Sequence, residues 1–278
     1  MTDALVQALT GQRSLASSRL VLIGDRTGSK ELYFCDADGA NLTQWTQDRS
    51  IGLGPSWNPR GGQVVYTSFL QGFADLYLIT LATGKRVCIS HYPGINTGGD
   101  LSPDGQETAL ILSKDGYTDL YIKDVTGDRL IRLTRTRFSE ASPSWSPDGQ
   151  RLVYVADPAG APQLFIIGRS GGVARLITTR GSENVAPDWG ANGLIAYASR
   201  RNGRYAVAVY DPKAQSHRVI SPADADYEDP SWAPDGRHIF CSRTAGNKAD
   251  IYRLDSSGDP PLRLTTENGN WRSPACSP

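Results

Sequence analysis

The sequence has no surplus of either charge: 29 lysines and arginines stand against 29 aspartates and glutamates in 278 residues. A protein that grips nucleic acid usually shows a basic excess, so only a local patch would serve such a role here. No apolar run approaches the roughly 18 residues of a membrane helix. The N-terminus, MTDALVQALTGQRSL, lacks a basic start followed by an apolar core, so the chain as given carries no signal peptide. Its four cysteines, Cys35, Cys88, Cys241 and Cys276, are far apart and form no CxxC. Zinc is therefore not expected, and a chain this long needs no disulfide framework. The cysteines read as mostly unpaired core residues. Catalytic signatures are missing too: there is no GxSxG, no HExxH and no glycine-rich phosphate loop. The three histidines, His91, His217 and His238, belong to different segments, so neither a triad nor a histidine metal site assembles easily. No cofactor is expected.

What the sequence does have is a repeat. Pro55-Ser-Trp57, Pro143-Ser-Trp145, Pro187-Asp-Trp189 and Pro230-Ser-Trp232 share one pattern, and Leu101 and Cys276 close two degenerate copies. The anchors at 57, 101, 145, 189, 232 and 276 lie 44, 44, 44, 43 and 44 residues apart. After each anchor comes a turn such as Ser-Pro-Asp-Gly, then short apolar runs separated by polar, glycine-containing loops: Leu152-Val-Tyr-Val, Leu164-Phe-Ile-Ile and Ala174-Arg-Leu-Ile-Thr in one unit. Each unit thus holds four strands rich in β-branched and aromatic residues, and no 11-residue window keeps a helical period. Meandering four-stranded units of this length are blades of a β-propeller.

The expected fold is all-β: a six-bladed propeller with four antiparallel strands per blade. The ends are out of phase with the repeat. Residues 20–46 supply the second, third and fourth strands of a unit, and its first strand appears at 271–278. The C-terminal strand is therefore expected to join the first blade and close the ring, which removes an exposed sheet edge. Residues 20–278 would form the propeller. Residues 1–19 would be an N-terminal segment in which Ala4–Gly11 suits a short helix or the remnant of a linker. The anchors Trp57, Leu101, Trp145, Trp189, Trp232 and Cys276 read as structural, packing between blades. The turn after them uses proline to fix φ and glycine to accept positive φ.

With the repeat in hand, the chain resembles the C-terminal propeller of the TolB family of the Tol–Pal system. The likeness runs from about Leu9 to Pro278. It is carried by Leu9-Thr-Gly11 ahead of the first strand, by Tyr66-Thr-Ser-Phe69 followed by Asp75-Leu-Tyr77, and by Leu112-Ser-Lys-Asp-Gly116. The anchor turn alone also occurs in propellers of peptidases and lyases. Leu101, Cys276, Arg60 and the proline-free Gly190-Ala-Asn-Gly193 depart from the motif. The resemblance implies a non-enzymatic, periplasmic scaffold of the cell envelope that binds a Pal-like lipoprotein at the channel mouth. Members of the family carry a further N-terminal domain, of which this chain would hold at most a trace of the linker.

Ligands of propellers commonly meet the loops that lead into the inner strands, and here those loops differ from blade to blade. Tyr92, Asn96, Arg137, Phe138, Glu140, Glu183, Tyr227, Glu228 and Trp271 are the candidate partner-binding residues: aromatic anchors with a polar rim, the usual anatomy of a protein interface. Tyr227-Glu-Asp229 with Glu140 and Glu183 would make an acidic ring, but solvated loop carboxylates are the commoner outcome and no metal is assigned. A second reading stays open, a carbohydrate-active or peptidase-associated propeller with a small ligand in its channel. It would use paired glutamates on neighbouring loops. Neutral charge and a closed ring suggest a monomer.

Overall fold

The computed structural model describes residues 14–278, so the short helix expected at Ala4–Gly11 lies outside the described residues. Three strands open the chain: β1 (Arg19–Gly24), β2 (Glu31–Asp36) and β3 (Thr43–Gln44). Blade 2 holds β4 (Gly52–Trp57), β5 (Gln63–Ser68), β6 (Asp75–Thr80) and β7 (Lys85–Ser90), and blade 3 holds β8 (Asn96–Leu101), β9 (Glu107–Leu112), β10 (Asp119–Asp124) and β11 (Leu130–Arg132). Blade 4 follows with β12 (Glu140–Trp145), β13 (Arg151–Ala156), β14 (Gln163–Gly168) and β15 (Gly171–Leu176). In blade 5 come β16 (Asn184–Trp189), β17 (Ile195–Arg201), β18 (Arg204–Asp211) and β19 (Ser216–Val219). Blade 6 has β20 (Asp226–Trp232), β21 (His238–Ala245), β22 (Lys248–Asp255) and β23 (Leu262–Arg263), and β24 (Trp271–Cys276) ends the chain. The sheet β24-β1-β2-β3 is blade 1, so the last strand closes the ring on the first. Six blades of four antiparallel strands result, as the repeat predicts.

The core lies between blades rather than within them. Among the described residues it divides into six clusters, each drawn from two neighbouring blades, and each includes one anchor position. Trp57 of blade 2 meets Phe34 of blade 1 edge to face at 5.6 Å, and its indole N–H donates to the Ala275 carbonyl at 2.9 Å. Trp145 likewise donates from Nε1 to the Asp100 carbonyl of blade 3 at 3.1 Å. A flat ring filling the wedge between two radiating sheets removes a large apolar area from water, the dominant stabilising term in such a fold.

A second device recurs beside the anchors. Each inner strand carries an irregularity in its ladder to the next strand, with a residue at positive φ three positions before the anchor: Gly54, Gly98, Ser142, Ala186, Asp229 and Ser273, at φ 48–69°. This repeated bulge turns the side chain just before the anchor toward the next blade. That side chain then accepts the neighbouring anchor's backbone N–H, as Trp189 N–H to Ser144 Oγ at 3.1 Å and Cys276 N–H to Ser231 Oγ at 3.2 Å.

A third device fixes the opposite ends of the sheets. In five of the six blades a hydroxyl just after the fourth strand (Thr46, Thr134, Thr178, Ser221 or Thr265) accepts a backbone N–H of the third strand, that of Leu32, Leu120, Leu164, Val207 or Ile251, at 2.9–3.0 Å; in blade 2 the equivalent Ser90 donates to Asn96 Oδ1 at 2.8 Å instead. Except for the half-buried Ser221, these hydroxyls are buried, where an unpaired polar group would be costly.

Candidate functional site: two faces of the ring

The ring presents two faces. At one, the inner strands begin, next to the hairpins joining second and third strands. Gly52 pairs with Ser68, and each hairpin reaches the next blade, as where Asn96 N–H donates to the Ala74 carbonyl at 3.0 Å and Asn184 N–H to the Pro162 carbonyl at 2.8 Å. At the other, the anchor turns converge.

The structure places the nine candidate residues of the first face unevenly. Arg137 and Phe138 are exposed, and Tyr92, Glu183 and Glu228 are half-buried. Asn96, Glu140, Tyr227 and Trp271 are buried, at most 3% exposed, and so do not form a contact surface. That corrects their assignment as contacts, and the physical reason is visible in their bonds. Asn96 accepts Tyr92 N–H on Oδ1 at 2.8 Å and donates from Nδ2 to the Tyr92 carbonyl at 2.8 Å, so it shapes the loop that presents Tyr92. Glu140 accepts from Leu120 N–H (2.9 Å), Thr134 Oγ1 (2.5 Å) and Thr136 Oγ1 (3.0 Å). Burial pushes its carboxyl above the ordinary range, against those bonds. Tyr227 bonds Asp224 Oδ1 and Arg243 Nε, both at 3.1 Å, and burial moves its hydroxyl up to about 12. Trp271 packs edge-on against Tyr33 at 4.9 Å as part of blade 1.

Beside Phe138, which is among the nine, five exposed apolar residues of this face were not named as candidates. Exposed apolar side chains occur along one arc of this face: Ile51, Leu70 and Phe73 on blade 2, Ile95 and Tyr117 on blade 3, and Phe138 on blade 4. Phe73 is 66% exposed, where an isolated domain gains nothing from an aromatic ring. For Leu70, Phe73 and Tyr117 the signal lay in the second-to-third-strand loops, which are as variable as the lead-in loops that hold Ile51 and Ile95. Across the ring, blades 5, 6 and 1 carry charge instead. Arg200 pairs with Glu183 at 2.8 Å, Arg243 with Asp224 at 2.6 Å and Arg26 with Glu267 at 2.6 Å. Glu183 also accepts from the Tyr205 hydroxyl, and these two partners hold its carboxyl below the usual range. Glu183 and Glu140 are thus each occupied within their own surroundings. His91, the one histidine near this face, meets Asp75 Oδ2 at 2.8 Å. Among the described residues no group of three or more His, Cys, Asp or Glu is arranged to hold a metal ion.

The anchor face holds a cavity of about 630 Å3 on the ring axis. Its walls are the anchor tryptophans, the turn prolines and the residues of the bulges, with Asp100, Asp188 and Asp229 as the charged lining. The anchors therefore do more than pack between blades: one edge of each faces the channel. Asp100 accepts Ser56 Oγ at 2.7 Å and Trp145 N–H at 2.8 Å, yet burial holds its carboxyl above the usual range. Asp188 accepts Trp232 N–H at 2.6 Å, and burial moves it up to about 7. Of the cysteines, Cys35 and Cys241 are buried and Cys276 half-buried, whereas Cys88 is exposed on β7.

A closed six-bladed ring with recurring turns on one face and variable loops on the other defines a propeller scaffold. The sequence model of the TolB beta propeller domain matches residues 6–278, and the chain belongs to that family. A protein named TolB homolog from Chlorobaculum tepidum is 40% identical over 102 residues, covering 34% of this chain and 24% of that protein. The Tol-Pal system protein TolB of Desulfosudis oleivorans is 39% identical over 92 residues, 33% of this chain and 21% of that protein. The matches thus span less than a quarter of these relatives' length. The crystal structure of TolB from Acinetobacter baumannii superposes with a TM-score of 0.90 at 27% identity, covering all of this chain and 71% of that one.

Proposed function

We propose that this propeller is a non-enzymatic scaffold that binds a protein partner over the face where its inner strands begin. The carrying observation is the apolar arc of Ile51, Leu70, Phe73, Ile95, Tyr117 and Phe138, set against a charged arc on blades 5, 6 and 1. Aromatic and aliphatic anchors beside a charged rim suit a partner that buries the former and is oriented by the latter. Tyr92, Arg137, Glu183 and Glu228 border these arcs, while Asn96, Glu140, Tyr227 and Trp271 act by holding the loops. Relatives that bear the Tol-Pal name favour a Pal-like lipoprotein of the cell envelope as the partner and the periplasm as the compartment. The scaffold acts as a monomer.

Hydrogen exchange on the propeller with and without the soluble domain of Pal tests this reading. Protection at the loops holding Phe73, Ile95, Tyr117 and Phe138 supports it; protection at the anchor turns instead would overturn it.

A second reading has its own observation, the cavity of about 630 Å3 on the anchor face. A small ligand held there would be sensed by the fluorescence of Trp145 and Trp232, whose rings form part of its wall, and would leave binding at the opposite face unchanged.

A further inference from the structure

The repeat allows the clefts between blades to be compared position by position; the side chains at the equivalent places differ from cleft to cleft, and two of the clefts carry charged or titratable groups on both blades. In the cleft between blades 1 and 2, Arg86 pairs with Asp48 and also donates to the Tyr66 hydroxyl at 3.3 Å. Asp48 lies nine residues before its anchor Trp57, and Arg86 four before the hydroxyl residue Ser90. The same count in the cleft between blades 4 and 5 gives Arg180, nine before Trp189, and His217, four before Ser221. Tyr197 takes the place of Tyr66, its hydroxyl 2.9 Å from His217 Nδ1. A carboxylate facing a cation in one cleft has thus become a cation facing an imidazole in the other.

This cleft is open. A cavity of about 500 Å3 is lined by Arg175, Thr179, Arg180, Tyr210, Ser216 and His217, among others, and no carboxylate belongs to its lining. Among the described residues, Arg175, Arg180 and Arg201 form no ion pair, whereas the adjacent Arg200 is held by Glu183. Burial chiefly, with the charges of Arg201 and Arg180 adding to it, keeps the His217 imidazole below its ordinary range. Its ring is stacked on Tyr210 at 4.5 Å and its Nδ1 is engaged by Tyr197, so it forms a wall rather than a free ligand group. The Arg180 loop is held in place: Asn184 Nδ2 donates to the Arg180 carbonyl at 2.9 Å, and Thr178 Oγ1 is fixed by Leu164 N–H at 2.9 Å.

We propose that the cleft between blades 4 and 5 binds a small oxyanion, a carboxylate or phosphate group on a compact polar body, seated against the Arg175 and Arg180 guanidinium groups. Guanidinium groups without carboxylate partners are the natural seat for such a group, because two parallel N–H donors match two of its oxygens. Arg175 and Arg180 supply the charge, Thr179 and Ser216 supply hydroxyl donors, and the stacked His217–Tyr210 pair forms a flat wall for the ligand body. The site lies between the fourth strands of blades 4 and 5.

The test is a titration at constant pH, followed through the ring signals of His217 with His91 and His238 as internal references. The probes are inorganic phosphate, sodium acetate and glucose 6-phosphate. A saturable shift confined to His217 is expected from at least one of them. Arg180→Asp restores the carboxylate found between blades 1 and 2, so it should fold and should weaken binding by at least about tenfold. Arg175→Gln serves as a second variant with the same expected direction. Acetate matching phosphate would identify a carboxylate as sufficient, and tighter binding of glucose 6-phosphate would identify contact of the ligand body with the wall; both uphold the site. No saturable His217 shift with any probe, or equal binding by the folded variants, would overturn it.

Discussion

Asp100 holds Trp145 twice across the boundary between blades 3 and 4: its Oδ2 accepts the backbone N–H at 2.8 Å and its carbonyl accepts the indole N–H at 3.1 Å. Its second carboxylate oxygen accepts Ser56 Oγ of blade 2 at 2.7 Å. One side chain therefore links three consecutive blades next to the channel. Asp100→Ala leaves two donors without a partner in a half-buried setting and should cost about 1–3 kcal/mol of stability. Asp100→Asn keeps an acceptor and should cost less. Urea denaturation of both variants checks the order, and equal losses would contradict it.

Asp188 occupies the corresponding position in blade 5 but accepts one N–H, that of Trp232. Burial raises its carboxyl from 3.8 to about 7, opposed by that bond and assisted by the nearby charge of Asp100. The sign follows from linkage. The folded state binds this proton more tightly than the unfolded chain, so the contribution is full below about pH 4 and is lost as pH rises toward 7. Asp188→Asn stays neutral and keeps an acceptor for Trp232. Its melting temperature should exceed that of the parent at pH 8, with the difference shrinking toward pH 4. A pH-independent difference would contradict this account.

Trp271 closes the ring. It is fully buried, meets Tyr33 at 4.9 Å, and lies over Gly24, where an added Cβ would come within 2.3 Å of the ring. Trp271→Ala should therefore cost about 3–5 kcal/mol. Gly24→Ala, overpacking the same seat, should cost about 1–3 kcal/mol. Because both act on one contact, the double variant should lose less than the sum. Additive losses would mean that the two residues are not coupled.

The blades, their number and the closure by β24 were legible because the anchor recurs at nearly constant spacing and the ends are out of phase by one strand. The bulge was not, since Gly54, Ser142, Ala186 and Asp229 share only small size and a common distance from the anchor. The departures from the motif were absorbed locally. Asn58 Oδ1 accepts Arg60 N–H at 2.9 Å where other turns use an aspartate, and Leu101 fills its seat at 2% exposure. The loop face was legible as a place but only partly as a set of residues. Sequence marks Tyr227, Trp271, Asn96 and Glu140 as aromatic or polar loop residues. Whether such a side chain turns outward depends on bonds to distant partners, such as Arg243 for Tyr227 and Leu120 for Glu140. Phe73 and Tyr117 were passed over because they lie in hairpins, which the third dimension brings beside the lead-in loops.

Binding at the loop face is the central claim, and calorimetric titration with the soluble domain of Pal from the same organism tests it most directly. Phe73 and Phe138 are exposed, so Phe73→Asp with Phe138→Asp should leave the melting temperature unchanged. The parent should bind one to one and saturably, and the double variant should bind at least about tenfold more weakly, as expected for lost aromatic anchors. No heat from the folded parent up to about millimolar Pal, or equal binding by the double variant, would contradict the account.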